Sequence, residues 1–195
     1  MFELLLPFLV FVLFFLVLFF IWRINARKYI SSGTVASAYD AWTQDKLLER
    51  LWGEHIHLGF YPLGAKNIDF RKAKVQFVHE LVKWSGLDKL PKGSRILDVG
   101  CGIGGSSRIL AKYYGFNVTG ITISPAQVKR ARELTPSGLN CNFQVMDALD
   151  LKFEDGSFDA VWSVEAGAHM HNKNKFADEQ QRLLEERNTY TRLQR

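Results

Sequence analysis

Ile96-Leu97-Asp98-Val99-Gly100-Cys101-Gly102-Ile103-Gly104-Gly105 decides the fold of this chain. A short apolar run enters a glycine-rich turn, and Ser106 to Tyr114 follows with helical character. Glycines at such a turn tolerate positive φ and let a ligand approach the backbone closely. A dinucleotide fingerprint uses its glycines to seat a pyrophosphate on the helix N-terminus. Here Asp98 stands at the strand's end, two residues before Gly100, where a carboxylate would repel a pyrophosphate. The same carboxylate suits a ligand carrying positive charge.

Downstream, short apolar runs alternate with helices. Strands are expected at Ile96–Val99, Asn117–Ile123, Asn142–Met146 and Phe158–Val164. Pro125 to Leu134 reads as a helix opened by Ser124 as N-cap, with Pro125 at the first helical position. Alternating β and α at this spacing predicts an α/β fold, a Rossmann-like parallel sheet of about four strands with crossover helices.

Upstream, Thr34 to Trp52 has helical periodicity, and Asp69 to Trp84 forms a second amphipathic helix capped by Asp69 and closed at Gly86. Between them lies an irregular, aromatic, histidine-bearing stretch, Trp52-Gly53-Glu54-His55-Ile56-His57-Leu58-Gly59-Phe60-Tyr61. At the start of the chain, Leu4 to Trp22 carries no charge and would span roughly 28 Å as a helix, close to a bilayer's hydrocarbon thickness. Arg23, Arg27 and Lys28 follow it, so the expectation is a single-pass transmembrane helix with the remainder on the cytoplasmic side and the lipid bilayer as a partner. The expected organisation is an anchor over 1–28, a helical lid or substrate-side segment over 29–93, and a nucleoside-binding domain over 94–195.

The 195 residues carry a net charge of +5 without a long basic run, which argues against nucleic acid as a partner. The two cysteines, Cys101 and Cys141, have no metal-ligand spacing and make no disulfide framework, so no metal is expected.

The Asp98-to-Gly104 segment resembles the first motif of class I S-adenosylmethionine-dependent methyltransferases. That resemblance implies S-adenosyl-L-methionine as cofactor, with Asp98, Gly100, Gly102 and Gly104 under its amino-acid part. The family's second strand usually ends in an acidic residue; this chain has Gly120-Ile121-Thr122-Ile123-Ser124 instead. This is similar to a subgroup in which a Thr and a Gln five residues later meet the ribose, which assigns Thr122 and Gln127. Asp147, after the third strand, falls where the family accepts a hydrogen bond from the adenine amine. After the fourth strand, Glu165 and His169 match a Glu and a His beside the acceptor and are the expected catalytic residues. His55 and His57 are expected on the substrate side.

The strings WGEHIHLG, GFNVTGITISP and SVEAGAHM are similar to a narrow group of cyanobacterial-type or plastid methyltransferases of tocopherol and plastoquinone synthesis. The group implies C-methylation of a prenylated aromatic quinol of the 2-methyl-6-phytylbenzoquinol type. Alternatives are a tocopherol or sterol methyltransferase, or a non-catalytic, membrane-tethered cofactor-binding remnant. The family pattern breaks after Phe176-Ala177-Asp178-Glu179, where a Lys-Pro-Gly-Gly turn and a fifth strand would follow. The polar run from Gln180 reads instead as a solvated helix, which implies a truncated sheet with an unpaired edge.

Overall fold

The computed structural model describes residues 10–20 and 32–184. By internal packing the chain divides into two units, Met1–Val35 and Ala36–Arg195. In the first, residues 10–20 are helical, uniformly apolar and exposed. Among the described residues no helix is long and apolar enough to cross a membrane. This corrects the expected transmembrane helix, and with it the single-pass anchor and the placement derived from it. The flanks of the apolar segment, at residues 4–9 and 21–22, lie outside the described residues.

The helices are α1 (Ser32–Gln44), α2 (Leu47–Trp52), α3 (Phe70–Ser85), α4 (Gly105–Tyr114), α5 (Pro125–Leu134) and α6 (Lys173–Arg182). The strands are β1 (Arg95–Val99), β2 (Asn117–Thr122), β3 (Cys141–Val145) and β4 (Ala160–Trp162). All pairings are parallel, and the sheet order is β3-β2-β1-β4. The Rossmann-like sheet of four parallel strands is as expected.

Local chemistry explains the elements. The Asp69 carboxylate accepts from the amides of Arg71 and Lys72, satisfying two of the free N–H groups that open α3. Ser124 does the same for Gln127 at α5, with Pro125 just inside. The expected long helix from Thr34 is broken, because Lys46 adopts a left-handed conformation (φ 55°) that separates α1 from α2. The fourth strand is shorter than expected. Phe158 instead forms a parallel bridge with Leu184, and Leu183 is fully buried. The run from Gln180 is therefore not a wholly solvated helix: the chain past α6 returns an apolar pair to the sheet.

Both faces of the sheet are covered, as parallel sheets require. Side chains alternate along β1. Ile96 packs with Val78, Val82, Leu110, Phe116 and Trp162 on one face. Leu97 and Val99 join Ile121, Leu151, Phe158 and Leu183 on the other. Asp98 shares the face of Ile96, beneath α4. The carboxyl ends of all four strands open onto one edge, and there the functional residues gather.

Candidate functional site

The turn after β1 is a cradle of bare backbone. Gly100, Gly102 and Gly104 have φ of 77°, 56° and 81°, the left-handed region that disfavours side chains. A Cβ on Gly100 would lie 2.5 Å from the Cβ of Ala166, and one on Gly104 would lie 2.6 Å from the Phe143 ring. Gly102 has nothing within 4 Å of that position, so the cradle opens outward there. The amides of Gly100 and Cys101 donate to the carbonyl of Ile121, tying the turn to β2.

Beneath the cradle, Asp98 is 2% exposed, and Ser107 Oγ donates to its carboxylate at 2.6 Å. Burial pushes its pKa up to about 7, only partly offset by that hydrogen bond. Among the described residues no lysine or arginine pairs with it. A buried carboxylate without a counter-charge favours a ligand that brings a cation. A methionine-type ammonium and a sulfonium fit this site; a pyrophosphate does not.

At the end of β2, Thr122 and Gln127 are both buried and meet, the Thr122 hydroxyl donating to Gln127 Oε1 at 2.6 Å. They form a satisfied pair rather than two free groups. Beside them the Asp40 carboxylate accepts from Ser124 Oγ (2.5 Å) and from the amide of Ala126 (3.0 Å). An α1 carboxylate thus caps the N-terminus of α5, where the helix dipole favours negative charge. Asp147 is half-buried and accepts from the amide of Leu149 in a tight local turn.

At the end of β4, Glu165 is exposed and left-handed (φ 57°), and its Oε1 accepts from the amide of Leu58 at 3.0 Å. His169 is exposed as well, and its Nε2 lies 3.0 Å from the Tyr39 hydroxyl. Burial raises the Tyr39 pKa, so the phenol keeps its proton beside the imidazole.

The segment from Ala36 to Tyr61 lies over this edge as a lid. His55 and His57 are both buried. His57 Nδ1 donates to the carbonyl of Leu58 at 2.8 Å, which leaves Nε2 to accept from His55 Nδ1 at 3.1 Å. Burial lowers both pKa values, His55 to about 4. The pair is therefore neutral and structural in its hydrogen bonding. Lys74 of α3 donates to the carbonyls of His55 (2.7 Å) and Trp52 (3.3 Å) and holds the loop from below.

Between lid and cradle lies a narrow cleft lined by Tyr39, Trp42, Leu48, Ile56, Ile103 and Gln127 among others. The structure thus brings Gln127 together with the glycine turn, and Glu165 together with the loop of His57. Sequence reasoning did not single out Tyr39, Asp40, Lys74 or Ser107. Their partners lie 9 to 130 residues away, and no local pattern marks them. Among the described residues no cluster of His, Cys, Asp and Glu could hold a metal ion.

Comparisons with known proteins agree with this geometry. A family model described as a methyltransferase domain matches residues 96–187. The chain is 61% identical over 166 residues to the 2-methyl-6-phytyl-1,4-hydroquinone methyltransferase of Synechocystis sp., covering 84% of this chain and 52% of that protein. It is 43% identical over 143 residues to the chloroplastic tocopherol O-methyltransferase of Arabidopsis thaliana, covering 68% of this chain and 41% of that one. The chain spans about half the length of these curated relatives. Among solved structures it is similar to the [4+2]-cyclase SpnF, with TM-score 0.71 and 28% identity over 80% of this chain and 57% of that one.

Proposed function

Since the chain belongs to the S-adenosylmethionine-dependent methyltransferases, we propose that its described residues form the cofactor cradle and acceptor-facing lid of an enzyme that C-methylates a prenylated benzoquinol of the 2-methyl-6-phytylbenzoquinol type. One observation carries this reading: the carboxylate of Asp98 is buried under three left-handed glycines with no cation among the described residues to balance it.

Asp98 would hold the cationic amino-acid part of the cofactor, with Gly100, Gly102 and Gly104 giving it bare backbone. Thr122 and Gln127 would present a hydrogen-bonded edge to the ribose, and Asp147 would face the adenine amine. When bound, S-adenosylmethionine supplies an electrophilic methyl group on a sulfonium.

The protein's remaining task is to place a quinol ring and receive the proton of its hydroxyl. His55 is a poor candidate base, since a pKa near 4 leaves little driving force at neutral pH. Its neutral pairing with His57 suits it to holding the loop in shape. His169 and Glu165 stand at the carboxyl end of β4, the side on which open α/β sheets bind their ligands. His169, oriented by Tyr39, is the better placed proton acceptor. The acceptor class rests on likeness to enzymes of prenylated quinols and tocopherols.

The test has two stages. Calorimetric titration with S-adenosylhomocysteine should give saturable binding, and methyl transfer to a phytylated benzoquinol should follow in the presence of S-adenosylmethionine. The His169→Ala chain should keep binding and lose transfer roughly 10²-fold or more, the usual worth of an acid–base group. Binding without transfer in the unaltered chain would overturn the enzymatic reading in favour of a cofactor-binding module. That the same fold serves a [4+2]-cyclase makes this stage necessary.

A further inference from the structure

Arg108 lies on the first turns of α4, is only 8% exposed, and spreads its guanidinium over three separate elements. One terminal nitrogen donates to the carbonyl of Ile103 inside the glycine turn at 2.8 Å. The same nitrogen lies 3.5 Å from the carbonyl of Ala131 and 3.4 Å from Thr135 Oγ1, at the far end of α5. The other nitrogen pairs with the carboxylate of Glu54 in the lid at 2.6 Å. A planar guanidinium carries five donors in a rigid fork, so it can hold acceptors on several elements in a fixed geometry.

A second contact, independent of charge, lies next to the first. A Cβ on Gly105 would stand 2.7 Å from the carbonyl oxygen of Glu54 and 2.8 Å from Cε1 of His55. The lid backbone is seated directly on the first residue of α4, and only a glycine leaves it room. The glycine at 105 thus serves the lid, whereas those at 100, 102 and 104 serve the turn.

We propose that Arg108 and Glu54 are positioning residues that couple the glycine turn to the lid, so that a ligand ordering the turn also closes the segment carrying His55 and His57. Glu54 is lost to the guanidinium if the lid lifts, and Arg108 then holds the Ile103 carbonyl with one fewer partner. By linkage, whatever tightens one side tightens the other. The inference rests on the reading of the glycine turn as the cofactor site.

Hydrogen exchange on the whole chain, with and without S-adenosylhomocysteine, tests it. In the unaltered chain, ligand should slow exchange of amides 53–60 as well as 103–105. In Glu54→Gln, which keeps the side chain's size, the slowing at 53–60 should disappear. Affinity should fall roughly fivefold to tenfold, the lower range of allosteric couplings. Gly105→Ala should do the same by unseating the lid while leaving both charges intact. Amides of β1 to β3 should stay protected in both variants, which separates lost coupling from lost folding. Slowing at 53–60 that survives in both variants, with unchanged affinity, would overturn the proposal. A chain that binds no ligand would refute the cofactor reading instead. Exchange at 103–105 without ligand would then decide the coupling: faster in Glu54→Gln supports it, unchanged overturns it.

Discussion

The sheet and the lid meet at one site but are held there by different forces. The sheet is backbone ladder and buried hydrocarbon: Ile96, Leu97, Val99, Leu110 and Ile121 are all but inaccessible to water. The lid is fastened mainly by polar side-chain contacts, to α4, to α5 and to the segment after β4. Tyr39 reaches His169, Asp40 reaches Ser124 and Ala126, Glu49 pairs with Arg130, Glu54 with Arg108, and the Leu58 amide with Glu165. Its own large side chains stay wet, with Trp42, Trp52, Leu58 and Tyr61 all exposed. Buried apolar contacts are released only with the whole domain, whereas a few exposed hydrogen bonds open locally. The sheet is thus the rigid member and the lid the part that can let go.

The largest expected effect tests the sheet's side of that contrast. Gly100→Ala combines a left-handed backbone, costing about 1–2 kcal/mol, with a collision against Ala166 that overpacks the site by about 1–3 kcal/mol. Gly138 shares the conformation (φ 84°) but has nothing within 4 Å, so Gly138→Ala carries the first cost alone. Urea unfolding should therefore show Gly100→Ala as clearly the less stable of the two. Equal losses would mean that the β4 loop does not press on the glycine turn.

The second prediction uses pH, because the two regions hold oppositely shifted groups. Folding raises the pKa of Asp98 from 3.8 to about 7. Its contribution to stability is complete below the unfolded value and is lost as pH rises toward 7. Folding lowers the pKa of His55 from 6.5 to about 4, with His57 shifted the same way. That contribution is complete above 6.5 and is lost as pH falls toward 4. Between about pH 4 and 6.5 the two oppose, and the unaltered chain should show a shallow slope. Asp98→Asn should leave stability rising with pH across this window, and His55→Asn should leave it falling. The same Asp98→Asn chain should bind S-adenosylhomocysteine roughly 10- to 100-fold more weakly, the worth of a hydrogen bond to a charged group. Parallel slopes in both variants would show that neither group titrates as its surroundings require.

The contrast also explains what could be read from one sequence. The strand positions, the caps at Asp69 and Ser124, and the helix Pro125–Leu134 follow from periodicity and from punctuation by Pro, Gly, Asp and Ser, all of them local. The glycine turn with Asp98 was legible for the same reason. The lid's fastenings were not. Asp40 looks like any polar residue on an amphipathic helix until folding brings it 86 residues forward to Ala126. Arg108 reads as a surface residue of a helix, yet it is buried at the junction of three elements. The break at Lys46 has no sequence signal either, since lysine has no preference for the left-handed region. The expected membrane-crossing helix rested on the length of an uncharged run and the basic residues after it, and the described residues contain no helix long enough to bear it out.

The smallest expected effect lies where the two regions touch. Glu165 holds a left-handed backbone at the end of the rigid sheet and gives its carboxylate to the Leu58 amide of the lid. A non-glycine residue persists in that conformation only when its surroundings impose it, which is common at working sites. Glu165→Gly and Glu165→Ala remove the same carboxylate and should slow methyl transfer alike. Their stabilities should differ, because glycine relaxes the backbone while alanine keeps its strain. Glycine should be ahead by about 1 kcal/mol, somewhat offset by its greater freedom when unfolded. Alanine equal to glycine would mean that residue 165 leaves the left-handed region once its carboxylate is gone, and wild-type transfer in either variant would remove Glu165 from the chemistry.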